Sequence, residues 1–218
     1  MKIVCISDTH NRHWDLPALP EGDCIIHAGD MSTSGSQREI SDFLAWFSET
    51  PYKYRILIAG NHDWLFERSP MSCKELVHGY DGITYLEDSG IEIEGIKFWG
   101  SPVQPTFHDW AFNRDTVGIQ KHWDMIPDDT QVLITHGPPY GYGDILWHTQ
   151  DQHLGCPLLT EKIFTLPKLE LHVSGHIHSG HGIITITGDH GNPAILVNAA
   201  QLNERYDIAY SPIEVEVN

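Results

Sequence analysis

Basic residues are scarce in this chain. Thirteen Lys and Arg stand against 30 Asp and Glu over 218 residues, a formal charge of −17. General binders of nucleic acid or anionic membranes draw their affinity from excess Lys and Arg, so this balance argues against both. Cysteine is sparse too: Cys5, Cys24, Cys73 and Cys156 form no CxxC pair and no short-range framework. That suits small buried thiols in a reducing compartment better than a disulfide scaffold. No apolar run approaches the roughly 18 residues that a membrane span needs. The opening stretch MKIVCISDTH breaks at Ser7-Asp8, too early for the core of a secretory signal. A cytoplasmic protein without membrane attachment is therefore expected. With 40% hydrophobic and 10% aromatic residues the chain is neither low-complexity nor disordered. Its length predicts a single domain over residues 1–218 with a sizeable core.

Histidine, by contrast, is in surplus, at 15 residues, which invites a search for metal sites. The most informative pattern is a series of short apolar runs that each end abruptly in residues able to bind metal. Ile3–Ile6 leads to Asp8 and His10, and Cys24–Ile26 leads through His27-Ala28-Gly29 to Asp30. Tyr54–Ala59 leads to Gly60-Asn61-His62-Asp63, Val132–Ile134 to Thr135-His136-Gly137, and Leu169–Val173 to Gly175-His176-Ile177-His178. Short β-branched runs bounded by Gly predict strands buried on both faces.

Between them, Ser36–Glu49 spaces Ile40, Phe43, Leu44 and Phe47 as one helical face. Ser69 can cap a second helix with Pro70 in its first turn, and a third is predicted from about Thr116 to Met125. Segments 91–99 and 181–197 alternate around glycines as hairpins do. Strand–helix alternation followed by hairpins predicts an α/β sandwich of two mixed β-sheets flanked by helices. Function in such sheets gathers beyond the carboxyl ends of strands, where loops diverge and leave a crevice.

The candidate metal ligands are Asp8, His10, Asp30, Asn61, His136, His176 and His178. Asp8 and His10, like His176 and His178, are two apart, and on an extended segment such residues share a face. Oxygen and imidazole donors without thiolate suit borderline metals such as Mn, Fe or Zn. Seven donors are too many for one tetrahedral zinc. They suit two ions about 3.5–4 Å apart with one bridging carboxylate, an arrangement fitted to phosphoryl ester hydrolysis. Two divalent ions, less two carboxylates and a hydroxide, leave a local charge of about +1. Such a pocket attracts a phosphoester even though the surface is acidic, because screening confines the far field to about 8 Å.

The ordered set Asp8-x-His10, Gly29-Asp30, Gly60-Asn61-His62-Asp63, Thr135-His136-Gly137 and Gly175-His176-x-His178 resembles the calcineurin-like metallophosphoesterase superfamily over about residues 3–200. Each motif is weak alone; five in order, each after an apolar run, are specific. The strings CISDTHNR, HAGDMS, YRILIAGNHD, THGPPYGYGD and LHVSGHIHSGHG look closest to the brain-type metallophosphoesterase-domain-containing subgroup and its microbial relatives. Some members of that subgroup carry Gly at the first His of the last motif, whereas His176 is present here. The resemblance implies that Asp8, His10, Asp30 and His178 hold one ion and Asn61, His136 and His176 the other, with Asp30 shared. It further implies a metal-bridging hydroxide as nucleophile, and His62 stabilising the transition state or protonating the leaving oxygen. Asp63 would orient His62 or the Asn61 loop.

Protein Ser/Thr phosphatases of the superfamily carry Asp-Arg-Gly downstream of the Gly-Asp motif, and this chain has GDMSTSG there. A small phosphodiester substrate follows, with 2′,3′- or 3′,5′-cyclic nucleotides first and duplex nucleic acid disfavoured. The alternatives are a broad-specificity phosphomonoesterase and a nucleotide-binding protein with weak catalysis. Manganese is the first choice of metal, with Fe, Zn or Mg as alternatives, and a monomer or homodimer is expected.

Arg12 is a candidate for touching the phosphate and Trp14 for stacking on a base, although a solvated Arg and an edge-packing Trp suit them equally. The segment Pro102–Arg114 either caps the site through Phe107 or Trp110 or covers the core or an oligomer contact. Tyr140 is a similar case, and His181 is close enough to His178 to reach the pocket rim. His13, His27, His78, His108, His122, His148, His153, His172, His181 and His190 are expected to be mostly surface or packing residues.

Overall fold

The computed structural model describes residues 1–147 and 152–218, so the expectation for His148 lies outside the described residues. The first half runs β1 (Lys2–Ile6), β2 (Cys24–His27), α1 (Gln37–Glu49), β3 (Tyr54–Leu57), α2 (Trp64–Arg68), α3 (Pro70–His78) and β4 (Ile83–Tyr85). The second half begins with β5 (Ser89–Ile93), β6 (Ile96–Ser101), β7 (Gln104–Pro105), β8 (Asn113–Arg114), α4 (Thr116–Asp124) and β9 (Val132–Thr135). It closes with α5 (Pro157–Thr165), β10 (Leu171–Ser174), β11 (Gly182–Thr187), β12 (Pro193–Asn198) and β13 (Ile213–Glu216).

Two mixed sheets result, ordered β13-β1-β2-β3-β4 and β11-β12-β10-β9-β6-β5. Pairing is parallel from β1 to β4 and among β12, β10, β9 and β6, with β13, β11 and β5 added antiparallel at the edges. The period-2 alternation of each strand sorts its side chains between two cores. Ile3, Cys5, Cys24, Ile26 and Ile56 meet Phe98, Val132, Ile134, Leu171 and Val173 between the sheets. Val4, Ile6, Ile25 and Leu57 face outward onto Ile40, Phe43, Leu44 and Phe47 of α1 and onto Phe66 of α2. On the other side Leu133 and Leu196 pack against Ile119 and Trp123 of α4 and Leu159 and Ile163 of α5. Each fully buried aliphatic or aromatic side chain contributes about 1.5–3 kcal/mol, so this four-layer burial dominates stability.

The three expected helices and both hairpins form within a residue or two of their expected ends. Ser36 closes a full capping box with Glu39 at the head of α1. Ser69 makes no side-chain cap, because its backbone also ends α2, its N–H bonding Leu65 O at 2.8 Å. Strands β4, β7, β8 and β13 and helices α2 and α5 lie outside the elements expected from sequence: the strands have two to four residues each and α2 has five, too few to show a period. The parallel strands of both sheets end on one edge, where an isolated parallel bridge between Ser7 and Ala200 joins them.

Candidate metal centre and active site

The loops after β1, β2, β3, β9 and β10 deliver all seven candidate ligands to that edge. The backbone does this by strain more than by extension. Asp8, His10, Asp30 and His176 have φ of 53°, 40°, 56° and 65°, the left-handed region that L residues avoid. Interlocked backbone bonds hold these turns: Asp8 N–H to Gly29 O at 3.0 Å and His10 N–H to Asp30 O at 3.1 Å. The expectation that i and i+2 partners share a face of extended chain is therefore corrected. Asp8 and His10 still converge, but His176 and His178 diverge into different donor groups.

Those groups are Asp8, His10 and His178; Asp30, His136 and His176; and His10, Asp30 and His62. Asp30 belongs to two of them, its Oδ2 at 3.7 Å from His10 Nε2 and 3.4 Å from His136 Nε2. Backbone carbonyls set the ring orientations. Nδ1 of His10, His136 and His178 donates to the carbonyls of Ser32, Ala28 and Asn203 at 3.1, 2.9 and 3.0 Å. Each ring therefore presents Nε2 to the centre, as outer hydrogen bonds do for metal-binding imidazoles.

Two observations test whether cations fit. His10 Nε2 is buried with no hydrogen-bond partner among the described residues. His136, already donating through Nδ1, has its Nε2 only 2.9 Å from Asn61 Oδ1. Two acceptors at that distance require a proton or a metal ion between them. The protons are strongly held. Burial opposes charge on His136 and His178, yet the Asp30 and Asp8 carboxylates raise both to about 9. Burial likewise opposes ionisation of Asp8 and Asp30, and their histidine neighbours hold both below the ordinary carboxylate range. For His176 desolvation and the His136 charge outweigh the pull of Asp30 and Asp8 and lower it to about 3. The site is built to neutralise two carboxylates with cations, and its oxygen and nitrogen donors fit divalent metal.

The His62 backbone N–H donates to Asp30 Oδ1 at 2.8 Å, and its Nδ1 meets Thr33 O at 2.7 Å. Its ring lies over Trp110, centroids 4.3 Å apart, and edge-on to His10 at 4.7 Å. Asp63 is fully buried and does not touch the His62 ring. Its carboxylate accepts N–H bonds from Asp30, Met31, Ser32 and Gly60 and the Ser32 hydroxyl, clamping the Asp30 turn to the Asn61 turn. Burial and the Asp30 charge push it up to about 6.

Arg12 is not brought to the cavity: its guanidinium is spent on Asp15 at 2.8 Å and on the Tyr206 carbonyl at 3.2 Å. Trp14 is exposed and bonds Asp42. His181 bonds Ala200 O and stacks on Tyr210 away from the cavity. The 102–114 segment both caps the site and covers the core. Pro105, Phe107, His108 and Trp110 line a cavity of about 680 Å³ over the donor groups, while Ala111 and Phe112 enter the α1-side core. Residues missed by sequence reasoning are Tyr206, whose ring lies 4.8 Å from that of His10, and Asn198, whose amide bonds the carbonyls of Gly143, Gly175 and Ile177. Neither sits in a recognisable motif. A β-strand ending in Asn was the available signal for Asn198.

Residues 1–180 match the calcineurin-like phosphoesterase family model. The chain belongs to that family. It is 34% identical over 99% of its length to the human metallophosphoesterase domain-containing protein 1, covering 71% of that protein. A UPF0046 protein of Caenorhabditis elegans is also 34% identical, over 98% of this chain and 74% of its own. The crystal structure of TT1561 of Thermus thermophilus superposes with a TM-score of 0.62 at 13% identity, covering 90% of this chain and 88% of that one, a likeness of fold. Members of this phosphoesterase family bind divalent metals and hydrolyse phosphate esters, and the Asp and His clusters give this chain the donors to do so.

Proposed function

We propose that this chain is a phosphodiesterase for small nucleotides, cyclic monophosphates first, working with two divalent ions, manganese first. Asp8, His10, His178 and Asp30 would hold one ion, and Asn61, His136, His176 and Asp30 the other. The observation that carries the reading is Asp30, one carboxylate shared by donor groups on either side, beneath a cavity walled by Phe107, Trp110 and Tyr206. Ions bound there supply Lewis acidity toward phosphoryl oxygens and lower the pKa of water toward about 7.

The remaining work falls to the chain. Thr33 O and Trp110 fix the His62 ring, whose imidazolium form would give its Nε2 proton to the leaving alkoxide as the P–O bond breaks and end as the neutral ring with its hydrogen on Nδ1. Asp63 keeps the Asp30 and Asn61 turns in register. Aromatic walls exclude water and offer faces on which a base stacks. A diester carries a substituent on each side of phosphorus and needs width, which a cavity of about 680 Å³ walled by Phe107, Trp110 and Tyr206 provides.

Metal-reconstituted protein should cleave bis-p-nitrophenyl phosphate and 2′,3′- or 3′,5′-cyclic nucleotides faster than p-nitrophenyl phosphate. Asn61→Ala and His176→Ala should each lower kcat by about 10² or more. A faster monoester reaction would make the chain a phosphomonoesterase, and equal rates in all three proteins would remove the catalytic assignment.

A further inference from the structure

The loop between His136 and α5 carries a further histidine–carboxylate pair, in none of the donor groups among the described residues. The Asp144 side chain is 1% exposed, and its ion-pair partner among the described residues is His153. Asp144 Oδ2 accepts the N–H groups of Gly141 and Gly155, each at 3.0 Å, while Oδ1 meets His153 Nδ1 at 2.7 Å. A carboxylate surrounded by donors accepts, so the hydrogen sits on Nδ1. Nε2 then lies on the far side of the ring, with no partner among the described residues. His153 lines the same cavity as His62 and His176, and its side chain is 29% exposed. The Tyr140 ring lies beside the imidazole at 4.9 Å.

This pair is braced against the active site. His153 faces Ile145 across an isolated antiparallel bridge, and Pro139 pairs with Cys156 just beyond. The Gly143 carbonyl, next to Asp144, accepts from the Asn198 amide at 2.9 Å, and that amide also holds the Gly175 and Ile177 carbonyls. One side chain thus links the loop of His153 to the loop of His176 and His178. A buried carboxylate that sets the tautomer of a cavity-facing imidazole is the arrangement that prepares a histidine to act on a bound molecule.

We propose that His153 is a specificity-determining residue: its Nε2 hydrogen-bonds the nucleoside part of the substrate, away from the reacting phosphate, and Asp144 is its positioning residue. The inference rests on the nucleotide reading above. His62 is held by Trp110 and the Thr33 carbonyl, whereas His153 is held by Asp144 and pairs with Ile145 on the loop before α5, so the two histidines enter one cavity from separate parts of the chain.

The test compares metal-loaded wild type, His153→Ala and Asp144→Asn on a 2′,3′-cyclic nucleotide and on bis-p-nitrophenyl phosphate, which has no nucleoside. Losing one hydrogen bond should lower the ratio of kcat/KM values, nucleotide over aryl diester, by about fivefold to tenfold, mostly through the nucleotide KM. Calorimetric titration with a nucleoside 5′-monophosphate should show a matching loss of affinity in both variants. In long-range proton–nitrogen spectra His153 should be the Nδ1–H tautomer in wild type and lose that preference in Asp144→Asn. A ratio constant within twofold, with unchanged monophosphate affinity, would overturn the proposal. So would an equal loss on both substrates with a lowered Tm, which marks a loop prop. Failure of the nucleotide reading looks different: wild type itself would cleave the aryl diester yet neither cleave nor bind nucleotides.

Discussion

Asp30 and Asp63 are buried acidic residues with opposite duties. Asp30 turns its oxygens to the cavity, where His10, His136 and the His62 N–H surround it. Asp63 faces inward and accepts four backbone N–H groups and a hydroxyl. Asp63→Ala leaves those amides buried without acceptors, and a loss of roughly 3–5 kcal/mol in urea unfolding is expected. Metal content should fall with it, because the Asp30 turn loses its clamp. His62→Ala should behave otherwise: turnover falls by about 10²–10⁴ while elemental analysis finds the ions largely retained. Loss of both ions and activity would place His62 among the ligands, a role its proximity to His10 and Asp30 leaves geometrically open.

At the scale of elements, two features transmit local chemistry to the site. The capping box at the head of α1 uses Glu39, whose carboxylate accepts from Ser34, Ser36 and also the Asn11 amide at 2.7 Å. Burial works against that charge, but the serine hydrogen bonds win and lower Glu39 to about 2. The cap therefore anchors the residue next to His10. Ser36→Ala should cost about 1 kcal/mol in thermal or urea unfolding and leave the metal groups intact. The turn after β10 tolerates less. A Cβ on Gly175 would collide with Asp8 Oδ2 and with Ser7 Oγ. Gly175→Ala should fold with reduced stability and bind fewer ions, measurable by elemental analysis after reloading.

Over the whole molecule, two buried histidines tie folding to pH. His27 Nδ1 accepts from Gly29 N–H at 3.3 Å, and its Nε2 meets Thr9 Oγ1 at 3.0 Å, so the ring is neutral. Thr135 gives its hydrogen to Gly137 O and accepts from His172 Nε2, which leaves His172 Nδ1 buried and unpartnered among the described residues. Burial lowers both rings to about 3. The unfolded chain binds these protons below about 6.5 and the folded chain does not. The contribution of these two rings to stability is therefore full above pH 6.5 and falls as pH drops toward 3, by about 1.4 kcal/mol per pH unit for each histidine. Urea midpoints of chelated protein at pH 7, 6 and 5 should decline accordingly, and His172→Gln should flatten the slope. A slope unchanged by that substitution would exclude His172 as a source.

The short apolar runs, their β-branched content and their polar endings determined by themselves that strands would be buried and would discharge Asp8, Asp30, Asn61, His136 and His176 along one edge. Such information is local, since period and burial are written into a few adjacent residues. Tertiary structure alone decided where the loops turn. The left-handed turns at Asp8, Asp30 and His176 are held by bonds to other loops, Asp8 N–H to Gly29 O, Asp30 N–H to the Asp63 carboxylate and His176 N–H to the Asp8 carboxylate, so the parting of His176 from His178 could not be read from their spacing. Arg12 bonds the carbonyl of Tyr206, 194 positions away, which took it from the phosphate and put an unforeseen ring beside His10. His153 looked like one more surface imidazole until the loop folded a buried Asp144 behind it. Contacts closed across long chain separations leave no period and no motif, because each half is ordinary until the other arrives.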